Sequence, residues 1–327
     1  MKAAVTGASG HIGNNICRRL LEEGIQVKAL VRNDQRSLEG LNVELVKGDL
    51  LDDESLRRLL RDVDVVFHLA AVISIKGNSK GTLNDVNVEG TKRLANLCLN
   101  EQIKRFIHFS SIHALNQYPL DTVLTEENAL VNHNAFAYDR SKSNAEKVIL
   151  DLCEKGLNAV ILNPTSVIGV HDYKPSLIGQ AFLRIAGGKL PALIPGGSDW
   201  VDVRDVCQGA ISAINKGRKG ERYLLSGHWF SIEDLAEEIG KHSKKKKPVK
   251  VSTTLAKLGL PFMSLYSKLS KTHPLYTKES LEILASSNKN ISSQKAETEL
   301  AYVKRPFSET IEDTFNWFKN NQMIRNL

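Results

Sequence analysis

Short apolar runs alternate with segments whose apolar residues recur at helical spacing through the first half of the chain. That alternation predicts a parallel β-sheet with helices on both faces. Lys2 to Thr6 reads as a strand. The next segment repeats Ile12, Ile16 and Leu20 every four residues with Cys17 and Leu21 beside them, so one face of a helix packs on the sheet. Gln26 to Val31 and Val43 to Lys47 follow as strands. Asp52, Asp53 and Glu54 open a second helix, where the first turn favours negative charge. Val63 to Leu69 is apolar almost throughout, as in a strand covered on both faces. A helix over Asn84 to Leu99, a strand over Phe106 to Phe109, a helix over Tyr138 to Glu154 and a strand over Ala159 to Leu162 extend the same rhythm.

After Pro164 the rhythm breaks. Pro175, Gly187, Gly188, Pro191, Pro195, Gly196 and Gly197 cut the chain into short pieces, which predicts loops and small helices reaching over the sheet edge. Val201 to Leu225 reads as a return to the main sheet. Beyond Ser231 a helical lobe resumes, ending in an amphipathic helix around Ser308 to Phe318. The expected division is a sheet domain of residues 1–165 plus about 198–226, and a smaller, mostly helical lobe of about 166–197 plus 227–327. A length of 327 residues suits two such units.

Composition narrows the class. Hydrophobic residues make up 42% and charged residues 25%, and no run approaches the roughly 20 apolar residues of a membrane span. MKAAVTGASG lacks the apolar stretch of a signal peptide, so a cytoplasmic location is expected. Cys17, Cys98, Cys153 and Cys207 are isolated, which argues against disulfides and against a metal site. The net charge of +7 owes much to the run Lys244 to Lys247. Without interleaved aromatic residues that run reads as a solvated loop, and no nucleic-acid partner is expected. Leu255 to Leu269 carries Leu258, Leu260, Phe262, Met263 and Tyr266 on one side, read as core packing, with a substrate wall or membrane-surface contact as the alternatives.

Chemistry enters with TGASGHIG, which sets Gly7, Gly10 and Gly13 between the first strand and the first helix. A tight turn, close approach of backbone to a diphosphate, and close packing of helix on strand each ask for glycine. Helix N-terminal amides then face the anion, with Ser9, His11 and Ile12 in the same turn. This is the phosphate loop of a dinucleotide-binding, doubly wound (Rossmann) sheet. Arg32 ends the second strand where an acidic residue would mark NAD, so a 2′-phosphate and NADPH are favoured, NAD staying possible, with Arg36 and Ser9 assisting. Asp49 and Leu50 should border the adenine, and Leu69, Ala70 and Ala71 should lie under the phosphate and ribose.

Tyr138 and Lys142, four residues apart in YDRSK, share a helix face. An ammonium close to a phenol is expected to bring its proton exchange down toward neutral pH. In FSSIHAL a strand ends at Ser110 and Ser111, at the carboxyl edge of the sheet where ligands of open α/β folds bind.

With these motifs, together with Gly48-Asp49-Leu50, HLAA (His68 to Ala71), NVEGT (Asn87 to Thr91), NPTSVIG (Asn163 to Gly169) and WVDVRDV (Trp200 to Val206), the chain resembles the extended short-chain dehydrogenase/reductase superfamily over nearly its whole length. Within it the sequence is similar to the dihydroflavonol-reductase-like branch. The resemblance implies a catalytic Ser111, Tyr138 as proton donor, Lys142 as its activator and ribose ligand, and Asn87 supporting the nearby loop. It also implies backbone around Pro164, Thr165 and Val167 beside the nicotinamide, a small carbonyl substrate, and a monomer or homodimer. His113, Asn116 and Tyr173 are expected to line the substrate pocket from position alone.

Two rival readings stay open. One is a sugar-nucleotide epimerase or dehydratase. Ile112 and His113 stand where dehydratases of the superfamily carry an Asp-Glu pair, which argues against dehydration. The other is a non-catalytic NADP-binding regulator, a type that commonly loses the Tyr or Lys retained here.

Overall fold

The computed structural model describes residues 1–73, 81–190, 192–243, 245, 248–252, 254–255, 281–282, 284 and 287–324. In chain order its elements are β1 (Lys2–Thr6), α1 (His11–Glu22), β2 (Gln26–Val31), β3 (Val43–Lys47), α2 (Asp53–Leu60), β4 (Val65–His68), α3 (Thr82–Asn84), a π-helical turn (Asp85–Gly90) and α4 (Thr91–Asn100). They continue with β5 (Arg105–Phe109), α5 (Ala137–Glu154), β6 (Ala159–Pro164), β7 (Ser166–Ile168), α6 (Leu177–Ala186), β8 (Gly197–Asp202), α7 (Val203–Lys216), β9 (Arg222–Leu225), β10 (His228–Ser231), α8 (Ile232–His242), α9 (Gln294–Leu300) and α10 (Phe307–Asn320).

Seven strands form one parallel sheet in the order β3-β2-β1-β4-β5-β6-β9. The order reverses direction between β1 and β4, so the loops after those two strands splay apart and leave a crevice at their carboxyl ends. One face of the sheet buries Ile16, Leu20, Phe67, Ile107 and Val206, contributed by strands, α1 and α7. The other buries Leu56, Leu94, Phe106, Ile149 and Ile161 under α2, α4 and α5. Both faces are apolar because both are covered, which is why these strands read as continuous apolar runs.

A second, three-stranded sheet has the order β10-β8-β7. With α6, α8 and α10 it encloses its own core around Phe182, Ile239, Ile311 and Phe318. Val201 and Asp202 pair with Val167 and Ile168 in this small sheet, so only α7 and β9 of the stretch Val201 to Leu225 return to the main layer.

Lys244, Lys246 and Lys247 of the basic run and most of the apolar segment, from 256 to 269, lie outside the described residues. Among the described residues, no helix is long and apolar enough to cross a membrane and no cluster of residues suits a metal ion. The four cysteines are free and buried.

Candidate active site

The crevice begins at the glycine turn. Gly7 has φ +70°, and a Cβ there would stand 2.7 Å from the Ala70 nitrogen, while one on Gly13 would stand 2.1 Å from the Gly7 carbonyl oxygen. Only glycine lets the end of β1, the loop after β4 and the start of α1 meet this closely. Gly10 caps α1 with no side-chain hydrogen bond, leaving the first-turn amides for an anion. The residues present therefore fit a diphosphate. His11 and Asn15 side chains bond the Val170 carbonyl and Asn14 bonds that of His171, which ties the turn to the loop after β7.

At the end of β2, Arg32 is 71% exposed and its guanidinium lies 3.8 Å from Asp49. Arg36 folds back on Asp34 through two hydrogen bonds of 3.0 and 2.7 Å, so its charge is already engaged. Ser9 takes part through its backbone, its carbonyl accepting from the Ser37 hydroxyl at 3.2 Å. Leu50 is buried against Gly90. The Leu69–Ala71 segment follows β4 directly over Gly7, and Ala70 N donates to the Thr6 hydroxyl at 3.3 Å.

Asn87 sits in the π-helical turn that interrupts the helix expected over Asn84 to Leu99. Such turns often mark functional sites because they re-aim a side chain. Its amide accepts from Val72 N at 2.7 Å and donates to Val72 O at 3.0 Å and to Ser141 Oγ at 2.9 Å. Asn87 thereby fastens the loop after β4 to α5, through Ser141 rather than through Lys142.

Ser111 and Tyr138 meet at the carboxyl end of β5. Ser111 Oγ accepts from the His113 amide at 3.2 Å, which turns its own proton away from the backbone. The Tyr138 phenol is pushed well above its usual range by burial, with the neighbouring Ser111 hydroxyl pulling the other way and the Asp139 charge adding to the rise. Lys142 donates to the Phe109 carbonyl at 2.9 Å, and burial lowers its ammonium to about 8 against the pull of Glu146. The phenol held near neutral pH that YxxxK spacing suggested is thus not what the site shows. Desolvation outweighs the Ser111 hydrogen bond and favours the protonated phenol.

Of the expected pocket residues, His113 is brought to this group, its ring edge-on to Tyr138 with centroids 6.2 Å apart. Asn116 is not: it is exposed and braces a local turn by accepting from Tyr118 N and Asn128 Nδ2. Tyr173 is not either. It stacks on His171, meets Trp317 edge to face and accepts from Arg18 on α1 at 3.2 Å. At the end of β6, Thr165 gives its hydroxyl to Asp199 at 2.6 Å, so Pro164, Thr165 and Val167 present mainly backbone and apolar surface.

Sequence reasoning missed Asp139, whose carboxylate lies 3.6 Å from His113 Nδ1 and is pushed up to about 7 by burial. It also missed Glu146 and Asn163, joined beneath Ser111. The signal was present as Asp after Tyr and Glu four residues after Lys, but neither spacing has a motif meaning alone.

A parallel sheet with a turn that fits a diphosphate at its switch point, and a Ser-Tyr-Lys group at the end of β5, defines a nucleotide-dependent oxidoreductase scaffold. Residues 3–226 match the model of the NAD dependent epimerase/dehydratase family. The chain is 32% identical to sterol demethylase protein B of Methylococcus capsulatus, over 99% of this chain and all of that one. It is 28% identical to a putative dihydroflavonol 4-reductase of Synechocystis, over 98% of this chain and 95% of that protein. The crystal structure of gox2253 superposes with a TM-score of 0.85 at 31% identity, covering 99% of each chain. The chain belongs to the NAD dependent epimerase/dehydratase family, and it is an NAD(P)-dependent enzyme acting on CH–OH or carbonyl groups.

Proposed function

We propose that this enzyme is an NADPH-dependent reductase of an apolar, ring-bearing ketone or aldehyde. The observation that carries the reading is the grouping of Ser111, Tyr138 and Lys142 at the carboxyl end of β5, with Tyr138 beside Ser111 and Lys142 bonded to the Phe109 carbonyl. A phenol kept in its acid form gives its proton only to a strongly basic oxygen, such as the alkoxide that hydride transfer to a carbonyl creates. When bound, reduced nicotinamide supplies hydride to the carbonyl carbon. Ser111 orients the carbonyl oxygen with the proton its backbone partner leaves free, Tyr138 protonates that oxygen as charge builds, and Lys142 holds the ribose and later helps reprotonate the phenol. Asn87 keeps the loop after β4 in place. The glycine turn and Ser9 to Gly13 hold the diphosphate, and Arg32 supplies the cation for a 2′-phosphate, with Asp49 steering it rather than excluding NADPH.

His113 walls the substrate pocket. The lobe of α6, α8, α10 and the small sheet, together with the stretch from 227 onward, supplies the rest of the substrate side. The apolar, ring-bearing class is supported by the sterol and dihydroflavonol in the names of the two relatives, and reduction over dehydration by Ile112 and His113 after the catalytic serine.

The test is NADPH oxidation across a panel of ring-bearing ketones and aldehydes. Turnover with NADPH exceeding that with NADH, lost by 10²-fold or more in Tyr138→Phe while NADPH still binds, is expected. Binding without turnover by the unaltered protein would instead indicate a regulator, and NAD released on mild denaturation would indicate an epimerase.

A further inference from the structure

We propose that Glu146 is a positioning residue of the reaction: its buried carboxylate fixes the Ser111 turn through Asn163 and holds the Lys142 ammonium one helical turn away, with Arg222 as its anchor. The proposal rests on the Ser111–Tyr138–Lys142 reading above.

Glu146 has no exposed surface. One carboxylate oxygen accepts from Asn163 Nδ2 at 2.5 Å, and that same nitrogen donates to the Ser111 carbonyl at 3.0 Å. The other oxygen accepts from Arg222 Nε at 2.7 Å. Arg222 opens β9, and its Nη1 reaches the Glu126 carbonyl at 3.3 Å. Two strands, β6 and β9, therefore meet on a single side chain of α5, and Asn163 and Arg222 extend the link to the Ser111 and Glu126 carbonyls.

The consequence lies at the end of β5. Lys142 holds the Phe109 carbonyl and Asn163 holds the Ser111 carbonyl, so both sides of the Ser110-Ser111 pair are pinned by side chains that Glu146 touches or faces. A hydrogen bond to a carboxylate is shorter and stronger than one between neutral groups, so Asn163 is held in one orientation. Freed from it, the Ser111 carbonyl would have to find another donor in a site closed to water.

Electrostatically, Lys142 and Glu146 stand four residues apart on one helix face. The groups packed around Lys142 from the sheet are His68 on β4 and His108 on β5, both kept neutral by burial, and Tyr138 stands on its own helix one turn earlier. Neither histidine can stabilise the ammonium, whereas the Glu146 carboxylate does.

Glu146→Gln preserves shape and the acceptor for Asn163 but strands the Arg222 charge, so the double variant Glu146→Gln/Arg222→Gln accompanies it. In cofactor-free protein carrying 13C-labelled lysine, the Lys142 titration should move down from about 8 in Glu146→Gln, and by less in the double variant, which also removes the Arg222 cation. In turnover, kcat should fall tenfold or more and its alkaline limb should move down with Lys142, while KM for NADPH stays within about twofold. Asn163→Ala should lower kcat with the lysine titration in place.

A lysine titration and alkaline limb identical to the parent, with activity tracking only the folded fraction, would mean that Glu146 merely braces the edge strand, and the proposal would fail. The lysine titration needs no turnover, so an unaltered protein that reduces no carbonyl defeats the reductase reading and leaves this inference to be judged separately.

Discussion

Desolvation sets the protonation states around Tyr138 more strongly than any pair of charges does. It holds the phenol up, brings Lys142 down to about 8 and His113 down to about 4, and raises Asp139 to about 7. If Lys142 must carry its proton to serve the phenol, kcat should be flat below pH 7 and decline through pH 8, as a rate profile with saturating NADPH would record. Asp139 has the opposite implication for stability. Its native carboxyl ionises later than in the unfolded chain, so the unfolded state binds fewer protons between about pH 4 and 7 and stability falls as pH rises through that window. Asp139→Asn should therefore raise Tm at pH 8 by about 2 °C or more and change it far less at pH 5, checked by thermal melts at both. If Arg32 grips a 2′-phosphate as proposed, Arg32→Ala should weaken NADPH binding roughly tenfold or more and leave NADH binding unchanged; a fluorescence titration with both dinucleotides decides it. At this scale the sequence revealed residues that belong to a spaced pattern. It concealed the roles of Glu146 and of Asn163, which opens NPTSVIG, because their contacts span 17 to 76 positions and no local spacing shows them.

Among the elements, the glycine turn was legible because three separate steric demands fall on three fixed positions. Gly7→Ala would place a Cβ 2.7 Å from the Ala70 nitrogen in a left-handed backbone conformation. A cost of about 1–3 kcal/mol and loss of dinucleotide binding are expected, measurable by melting and by NADPH titration. The helix containing Asn87 was legible as a helix but not as a π-helical turn. Apolar periodicity reports which face is buried, whereas the extra residue in the turn answers to the Asn87 amide bridging Val72 and Ser141. The small sheet was missed for a related reason. β7, β8 and β10 are only three, six and four residues long, and alternation over so few positions does not say which sheet a strand joins.

For the whole molecule, the alternating first half specified the parallel sheet, while the attachment of the lobe is an electrostatic matter that no periodicity encodes. Asp202 and Asp205 are buried close together at the β8–α7 junction, and Arg305, just before α10, donates its backbone amide to Asp205 at 2.8 Å and its guanidinium to the same carboxylate. Arg204 binds Asp202 and Asp313 of α10 at 2.7 Å each, so two arginines neutralise the junction and hold α10 against it. Burial already raises Asp205 to about 6 with Arg305 opposing the rise. Arg305→Gln would keep the backbone hydrogen bond but remove the guanidinium charge, raising the native Asp205 carboxyl further and widening the gap to its unfolded value. Because a raised native value costs stability as pH climbs from the unfolded titration through the native one, the variant's deficit should grow with pH. The Tm of Arg305→Gln should thus sit closer to the parent at pH 5.5 than at pH 8. An equal deficit at the two pH values would show that Arg305 contributes packing rather than charge at this junction.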